Sequence, residues 1–336
     1  VTKSTNVFAR KNENKCQCVD SFSKNILTEE GFANWQARAN ELMDASIEIL
    51  NKNRNKIPSN NFLDIVPFIT HHTYFTSLVR PSSISSKDLN IISANFTKLK
   101  ASNPDLKWKH YFWTNNKDSI PREILELDGV EVRLVQDFHQ DILYPQLLDF
   151  LKSAENKKRF FSMASDLVRL LVVEKYGGIY MDLDYEIYDA KSLMSFVRNS
   201  HFLSGVVSNT PFPRANSSFF SAKPHHDIIK TAKSLLIRNY LKGDDVPEYV
   251  KNPCSGFTEA INYGPITFTI AIYKAADITT DIYFPNRIIY KNNSEAPANK
   301  IISKIYNNHF YESKLLGSDH FSGSWISPED NRNKCR

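Results

Sequence analysis

Two aspartates, Asp182 and Asp184, stand one residue apart at the end of the apolar run Ile179-Tyr180-Met181. In an extended chain, residues two apart point to the same side, so both carboxylates present themselves together. Like charges that close repel unless a cation lies near them. A hard divalent ion with oxygen ligands, Mn2+ or Mg2+, is the natural partner, its remaining positions going to phosphates and water. Just upstream, Asp166 and Arg169 lie one helical turn apart and add a second charged pair. Taken alone, that pair reads equally as a surface i,i+3 ion pair worth about 0.2–0.5 kcal/mol. An isolated D-x-D is more often two solvated aspartates at a strand end than a metal site, so the surrounding elements have to decide.

Ala164, Leu167, Leu170, Leu171 and Glu174 follow a three-and-four spacing, and Ser162 offers a capping hydroxyl, which predicts a helix over Phe160–Lys175. Gly177 and Gly178 end it, because glycine accepts a left-handed backbone without steric cost. A strand over Gly178–Asp184 follows, with its carboxyl end at the place where open α/β sheets bind ligands. Ahead of it come strands at Ile65–Thr70, Trp108–Thr114 and Val130–Val135, with helices at Ser85–Leu99 and Asp141–Ser153. Ser85-x-x-Asp88 marks the start of the first of these helices as a capping box does. Behind it come strands at Phe202–Ser208 and Ala215–Ser221, a helix at His226–Leu241, and a further helix begun by Gly264-Pro265. Alternation of this kind implies a mostly parallel, Rossmann-like sheet flanked by helices with right-handed crossovers. The pair His71-His72, at the end of the first strand, lacks a third nearby ligand for a metal.

Residues 1–27 are polar and Lys/Asn-rich, and Phe32, Trp35, Ala39, Leu42, Ser46 and Ile49 mark one face of a helix from Thr28 to about Lys52. The expected organisation is therefore an N-terminal arm and helical extension over 1–60, followed by an α/β catalytic domain over 61–336. With 42 basic and 37 acidic residues the net charge is +5, too mild to imply nucleic acid. It leaves room for a basic patch that docks on an anionic membrane leaflet. No run approaches the ~20 apolar residues of a membrane-spanning helix, and the absence of an initiator Met at Val1 leads us to expect a segment excised from a longer chain or a processed product. Four scattered cysteines, Cys16, Cys18, Cys254 and Cys335, read as reduced thiols. Three sequons, at Asn95, Asn216 and Asn292, would be glycan acceptors in a secretory lumen.

Ser165-Asp166, Arg169, the Gly177-Gly178 turn and Tyr180-x-Asp182-x-Asp184 together resemble the sugar-nucleotide motif of the GT-A glycosyltransferases of the D-x-D group. That group includes mannosyl- and glucosyltransferases and the catalytic domains of large bacterial cytotoxins. The resemblance spans Ile65 to Trp325 and implies a GT-A fold. Tyr74 falls where the family's base-contacting Trp is expected, and Asn216 and Ser217 fall where the donor sugar and diphosphate are contacted. A glycan on Asn216 would block that site, which argues against folding in the endoplasmic reticulum. The stretch Asp319-His320-Phe321-Ser322-Gly323-Ser324-Trp325 is similar to the tail that closes over the diphosphate. It departs from the family in having His320 five before Trp325 and Gly323 two before it. Asp319, His320 and Ser322 are then rival metal or water ligands, and Ser322, Ser324 and Trp325 donor contacts.

The resemblance further implies the site roles. Asp184 holds the metal, Asp182 acts on it through water or on the ribose, Arg169 and Asp166 hold the transferred sugar, and Tyr180 is a further donor contact. The implied activity is a retaining transfer of GlcNAc or glucose from a UDP-sugar to a Tyr, Thr or Ser hydroxyl of a host protein, such as a Rho-type small GTPase. A toxin or effector of that type would act in the host cytosol, with peripheral contact to the plasma membrane, to which N-terminal helices contribute in the cytotoxins. Two neighbouring readings are a polysaccharide or lipid-linked-sugar glycosyltransferase and a catalytically silent sugar-nucleotide binding module. A haloacid-dehalogenase-type phosphatase also uses D-x-D, but it needs Thr or Val where this chain has Glu186.

Overall fold

The computed structural model describes residues 65–198, 200–207, 214–241, 256–275, 282–283 and 317–319. The expected N-terminal arm and helix, the sequon at Asn292, all four cysteines and the tail from residue 320 onward lie outside the described residues. Among the described residues, no helix is long and apolar enough to cross a membrane.

The first half alternates strand and helix: β1 (Ile69–Tyr74), α1 (Ser86–Ser102), β2 (Lys109–Thr114), α2 (Arg122–Leu125) and β3 (Val130–Leu134). Then come α3 (Tyr144–Ala154), α4 (Arg159–Tyr176), β4 (Gly178–Met181), β5 (Tyr185–Ile187) and α5 (Ala190–Arg198). The second half holds β6 (Phe202–Val207), β7 (Arg214–Ala222), α6 (Asp227–Leu241), α7 (Gly256–Ile261), α8 (Thr267–Ala275), β8 (Ile282–Tyr283) and β9 (Gly317–Asp319).

Seven strands form one sheet in the order β3-β2-β1-β4-β7-β6-β8, and β5 pairs with β9 in a separate ribbon. β7 is antiparallel to both its neighbours, β4 and β6, while the remaining pairings are parallel. The sheet is thus mostly parallel, as the alternation predicts, with one reversed strand beside β4. Strand side chains alternate between faces, so Tyr180 joins the core cluster that includes α4, while Ile179 and Met181 join the one under α5.

Several boundaries differ from the sequence expectation for local reasons. β1 begins at Ile69 rather than Ile65, because Pro67 has no N–H to give a ladder and its carbonyl is taken by the Ile69 N–H at 2.8 Å. His71, His72, Thr73 and Tyr74 therefore belong to the strand. Helix α4 begins at Arg159, so Ser162 lies inside it and caps nothing. The Ser85 cap holds as expected, its Oγ accepting from the Asp88 N–H at 3.1 Å.

Gly264 and Pro265 sit within a π-helical turn, Asn262–Ile266, between α7 and α8, rather than opening a helix. Gly177 and Gly178 do turn the chain from α4 into β4, with φ of 62° and 97°. A Cβ on Gly177 would also strike the Pro224 and Pro67 rings, and one on Gly178 would meet the Ile69 carbonyl at 2.5 Å.

Candidate active site

Strand β4 stops at Met181, three residues short of the expected Asp184. The Tyr185 N–H bonds back to the Asp182 carbonyl at 3.1 Å, so Asp182-Leu183-Asp184 forms a turn, and strand alternation does not govern where the two carboxylates point. The Asp182 N–H donates to the Ser218 carbonyl at 2.8 Å, continuing the β4–β7 pairing one step past the sheet and seating the turn against residues 216–218.

Beneath the turn, Tyr180 is fully buried, and its hydroxyl donates to Asp182 Oδ1 at 2.7 Å while meeting Thr73 Oγ1 at 2.9 Å. Burial raises this phenol's pKa well above its usual value, so it stays a donor. Arg169, on the buried face of α4, lies with its guanidinium 4.7 Å over the Tyr180 ring. The same guanidinium spans Asp166 Oδ1 at 3.1 Å and Asp182 Oδ1 at 3.4 Å, and donates to the Ser217 carbonyl at 2.6 Å. The i,i+3 pair predicted on α4 is therefore buried, Asp166 being 5% exposed, and reaches the D-x-D turn rather than solvent.

Asp166, Arg169, Asp182 and Asp184 count three carboxylates against one guanidinium. Carboxylate oxygens are the donors that Mg2+ and Mn2+ take. Asp184 is half-buried in the same turn. Strand β9 pairs with β5 so that Asp319 lies opposite Tyr185, which brings its backbone beside the turn. Among the described residues, no group of three His, Cys, Asp or Glu is arranged as a metal site. His320, Ser322, Ser324 and Trp325 lie outside the described residues.

Asn216 and Ser217 are buried. The Asn216 carboxamide oxygen accepts from the Ser218 N–H at 2.9 Å and from the Ser218 hydroxyl, shaping the strand that receives Asp182 and Arg169. Tyr74 is half-buried at the end of β1, its hydroxyl donating to the Ser82 carbonyl at 2.8 Å. His71 and His72 are core residues. Trp113 Nε1–H donates to His71 Nδ1 at 3.1 Å and His71 Nε2–H donates to the Gly177 carbonyl at 2.8 Å, which leaves only the neutral ring. Burial accordingly lowers the pKa of each to about 3.

Three residues near the site had no site role assigned from the sequence. Thr73 completes the hydroxyl chain to Asp182. Asn95, on α1, is buried, and its amide donates to the Tyr185 carbonyl at 2.7 Å and accepts from the Ile187 N–H at 2.8 Å, holding β5 directly after the turn. Buried in this way, its sequon is closed to glycosylation in the folded chain. Gly264 presses on Asp166, where a Cβ would lie 2.0 Å from Oδ2.

Residues 90–203 match the model of the glycosyltransferase sugar-binding region containing a DXD motif. The segment belongs with the DXD-type glycosyltransferases. It carries Asp166, Arg169, Tyr180, Asp182 and Asp184, whereas Tyr74, Asn216, Ser217 and Asp319 fall outside it. A search of curated protein sequences finds no match.

Among solved structures, this chain is similar to PaToxG glycosyltransferase, at 16% identity over 70% of this chain and 78% of that one, with a TM-score of 0.46. The UDP-bound glycosyltransferase domain from the YGT toxin matches at 10% identity over 67% and 80%, with a TM-score of 0.43. The galactosyltransferase LgtC in complex with donor and acceptor sugar analogues matches at 11% identity over 70% and 94%, with a TM-score of 0.31. The mixed α/β sheet flanked by helices agrees with the GT-A fold that the sequence resemblance implies.

Proposed function

We propose that the chain is a retaining glycosyltransferase that moves GlcNAc or glucose from a UDP-sugar to a protein hydroxyl. The observation that carries this reading is the buried Arg169, bridging Asp166 and Asp182 beneath the D-x-D turn. A surface ion pair would need none of that burial. Here a rigid guanidinium, backed by the Tyr180 ring and the Ser217 carbonyl, fixes two carboxylates relative to each other.

In the proposed reaction Asp166 and Arg169 orient the transferred sugar through its hydroxyls, which lowers the entropic part of the barrier. Asp184 and Asp182 would hold Mn2+ or Mg2+, which when bound neutralises charge developing on the departing diphosphate. Tyr180 and Thr73 keep Asp182 in place while that charge develops. Tyr74 serves the base, Asn216 and Ser217 shape the floor under the sugar and diphosphate, and by the resemblance Asp319, His320, Ser322, Ser324 and Trp325 would contact the diphosphate or its metal. The acceptor hydroxyl attacks from the face the diphosphate leaves, and the departing phosphate takes its proton.

By the same resemblance, the acceptor is a Tyr, Thr or Ser of a host protein such as a Rho-type small GTPase, modified in the host cytosol by a bacterial toxin or effector. Hydrolysis of a panel of UDP- and GDP-sugars with Mn2+ tests the donor, and NMR of the released sugar tests the stereochemistry. Release of UDP with the α anomer formed first supports the reading. Release of GDP alone, or an inverted anomer, overturns the donor or the retaining mechanism respectively.

A further inference from the structure

Tyr240, in the last turn of α6, carries a buried hydroxyl that meets no hydrogen-bond partner among the described residues. Its ring is firmly seated. It stacks on the Tyr263 ring with centroids 4.7 Å apart and planes 8° from parallel, and it stands edge-on to Phe150 of α3 at 5.2 Å. A phenylalanine would make both contacts equally well, so packing does not account for the oxygen. A buried hydroxyl without a partner costs folding energy, and native chains keep few of them.

The surroundings state what the hydroxyl serves. Tyr263 lies in the π-helical turn Asn262–Ile266, and the next residue, Gly264, sits so close to Asp166 that a Cβ there would strike the carboxylate. π-Helical turns inside helices are frequent at functional sites. This one is fixed from both sides. Asn239, the neighbour of Tyr240, donates to Thr267 Oγ1 at 3.1 Å, and the Thr267 hydroxyl donates to the Asn262 carbonyl at 2.9 Å. The Thr269 hydroxyl donates to the Pro265 carbonyl at 2.8 Å. The end of α6, the stacked rings and the Asp166 carboxylate are thereby held as one unit.

Burial first, and then the Asp166 carboxylate, raise the Tyr240 pKa well above its usual value, with Tyr263 and Glu259 acting less strongly. The phenol stays protonated and can donate. Of the two carboxylates that act on it, Glu259 is engaged by Arg159 Nε and Nη2 at 3.2 and 3.0 Å, on the side of the cluster away from the D-x-D turn. Asp166 faces that turn through Arg169.

We propose that Tyr240 is a positioning residue for the transferred sugar: when a sugar hydroxyl draws on Asp166, the Tyr240 hydroxyl donates to that carboxylate and fixes it in its sugar-bound orientation. The proposal rests on the sugar-nucleotide reading above and deepens it. The ligand-free chain keeps a donor in reserve that only the sugar-bound chain uses, so its bond adds to sugar recognition and not to folding.

The test compares the native chain, Tyr240→Phe, Asp166→Ala and the double variant. Titration calorimetry with Mn2+ measures the affinity for UDP-glucose and UDP-GlcNAc relative to UDP alone, and urea unfolding without ligand measures stability. Tyr240→Phe is expected to unfold at the native urea midpoint or above it and to bind UDP unchanged. Its preference for the sugar-bearing nucleotide over UDP should fall about tenfold. In the Asp166→Ala background the same substitution should cost no further preference, because the hydroxyl acts through that carboxylate. A lower urea midpoint for Tyr240→Phe would show that the hydroxyl already has a partner in the ligand-free chain and overturns the proposal. An unchanged sugar preference in Tyr240→Phe, or an equal loss in the Asp166→Ala background, also overturns it and leaves the sugar-nucleotide reading standing. A native chain that binds neither UDP nor a UDP-sugar overturns that reading and the proposal with it.

Discussion

At the scale of single residues, the site depends on how one oxygen of Asp182 is held. Tyr180 and Arg169 converge on Oδ1 from below, and Thr73 orients Tyr180 in turn. Replacing Tyr180 by Phe keeps the ring and its packing but removes a hydrogen bond to a charged group, of the kind worth about 1.5–3 kcal/mol. UDP-sugar turnover should fall about tenfold, equivalent to about 1.4 kcal/mol of barrier, and the urea midpoint should fall with the lost hydrogen bond. Unchanged turnover would show that Asp182 needs no support from below. Gly264→Ala places a methyl on the Asp166 carboxylate. Its expected signature is a similar loss of kcat/KM for the donor with UDP affinity retained, read by titration calorimetry, since the role proposed for the displaced group is on the sugar rather than the nucleotide. Asp166, Arg169, Asp182 and Asp184 were legible in the sequence because charged residues at fixed spacing on a helix and a strand end leave a pattern. Thr73, Asn95 and Gly264 were not, because their roles arise from contacts between elements far apart in the chain.

At the scale of elements, the turn after β4 is secured by what flanks it. The side-chain amide of Asn95 pairs with the Tyr185 carbonyl and Ile187 N–H as a neighbouring strand would. Asn95→Ala leaves both backbone groups buried without that partner. The expected cost is about 2 kcal/mol in urea unfolding, from the loss of two buried hydrogen bonds worth about 0.5–1.5 kcal/mol each. A change below about 0.5 kcal/mol would contradict the role assigned to it. The periodic elements α1, β2, β3 and α6 follow their sequence patterns to within a few residues, because their apolar spacing and end signals agree. The expected strand over Gly178–Asp184 fails at its end because a backbone turn, which apolar patterning does not encode, begins at Asp182. The short ribbon of β5 and β9 joins residues more than a hundred positions apart, and no local signal announces it.

At the scale of the whole molecule, the sheet buries three imidazoles, His71, His72 and His110, each lowered by burial to a pKa of about 3. The unfolded chain takes up these protons near pH 6.5, whereas the folded chain does not until about pH 3. Stability from these groups is therefore complete above pH 6.5 and lost as pH falls toward 3, with each imidazole costing about 1.4 kcal/mol between pH 7.5 and 5.5. The urea midpoint should drop over that interval, and a midpoint that holds or rises would contradict the neutral buried rings. The same architecture brings α4, the β4 turn and residues 216–218 to one edge, where the proposed sugar-nucleotide site lies. The most direct test of that claim is UDP-sugar hydrolysis with Mn2+, comparing the native chain with Asp182→Asn/Asp184→Asn. The account predicts metal-dependent turnover in the native chain and its loss by at least about a hundredfold in the double variant, with the fold intact. Turnover that survives the double substitution would contradict it, as would a native chain that neither binds nor turns over any nucleotide sugar.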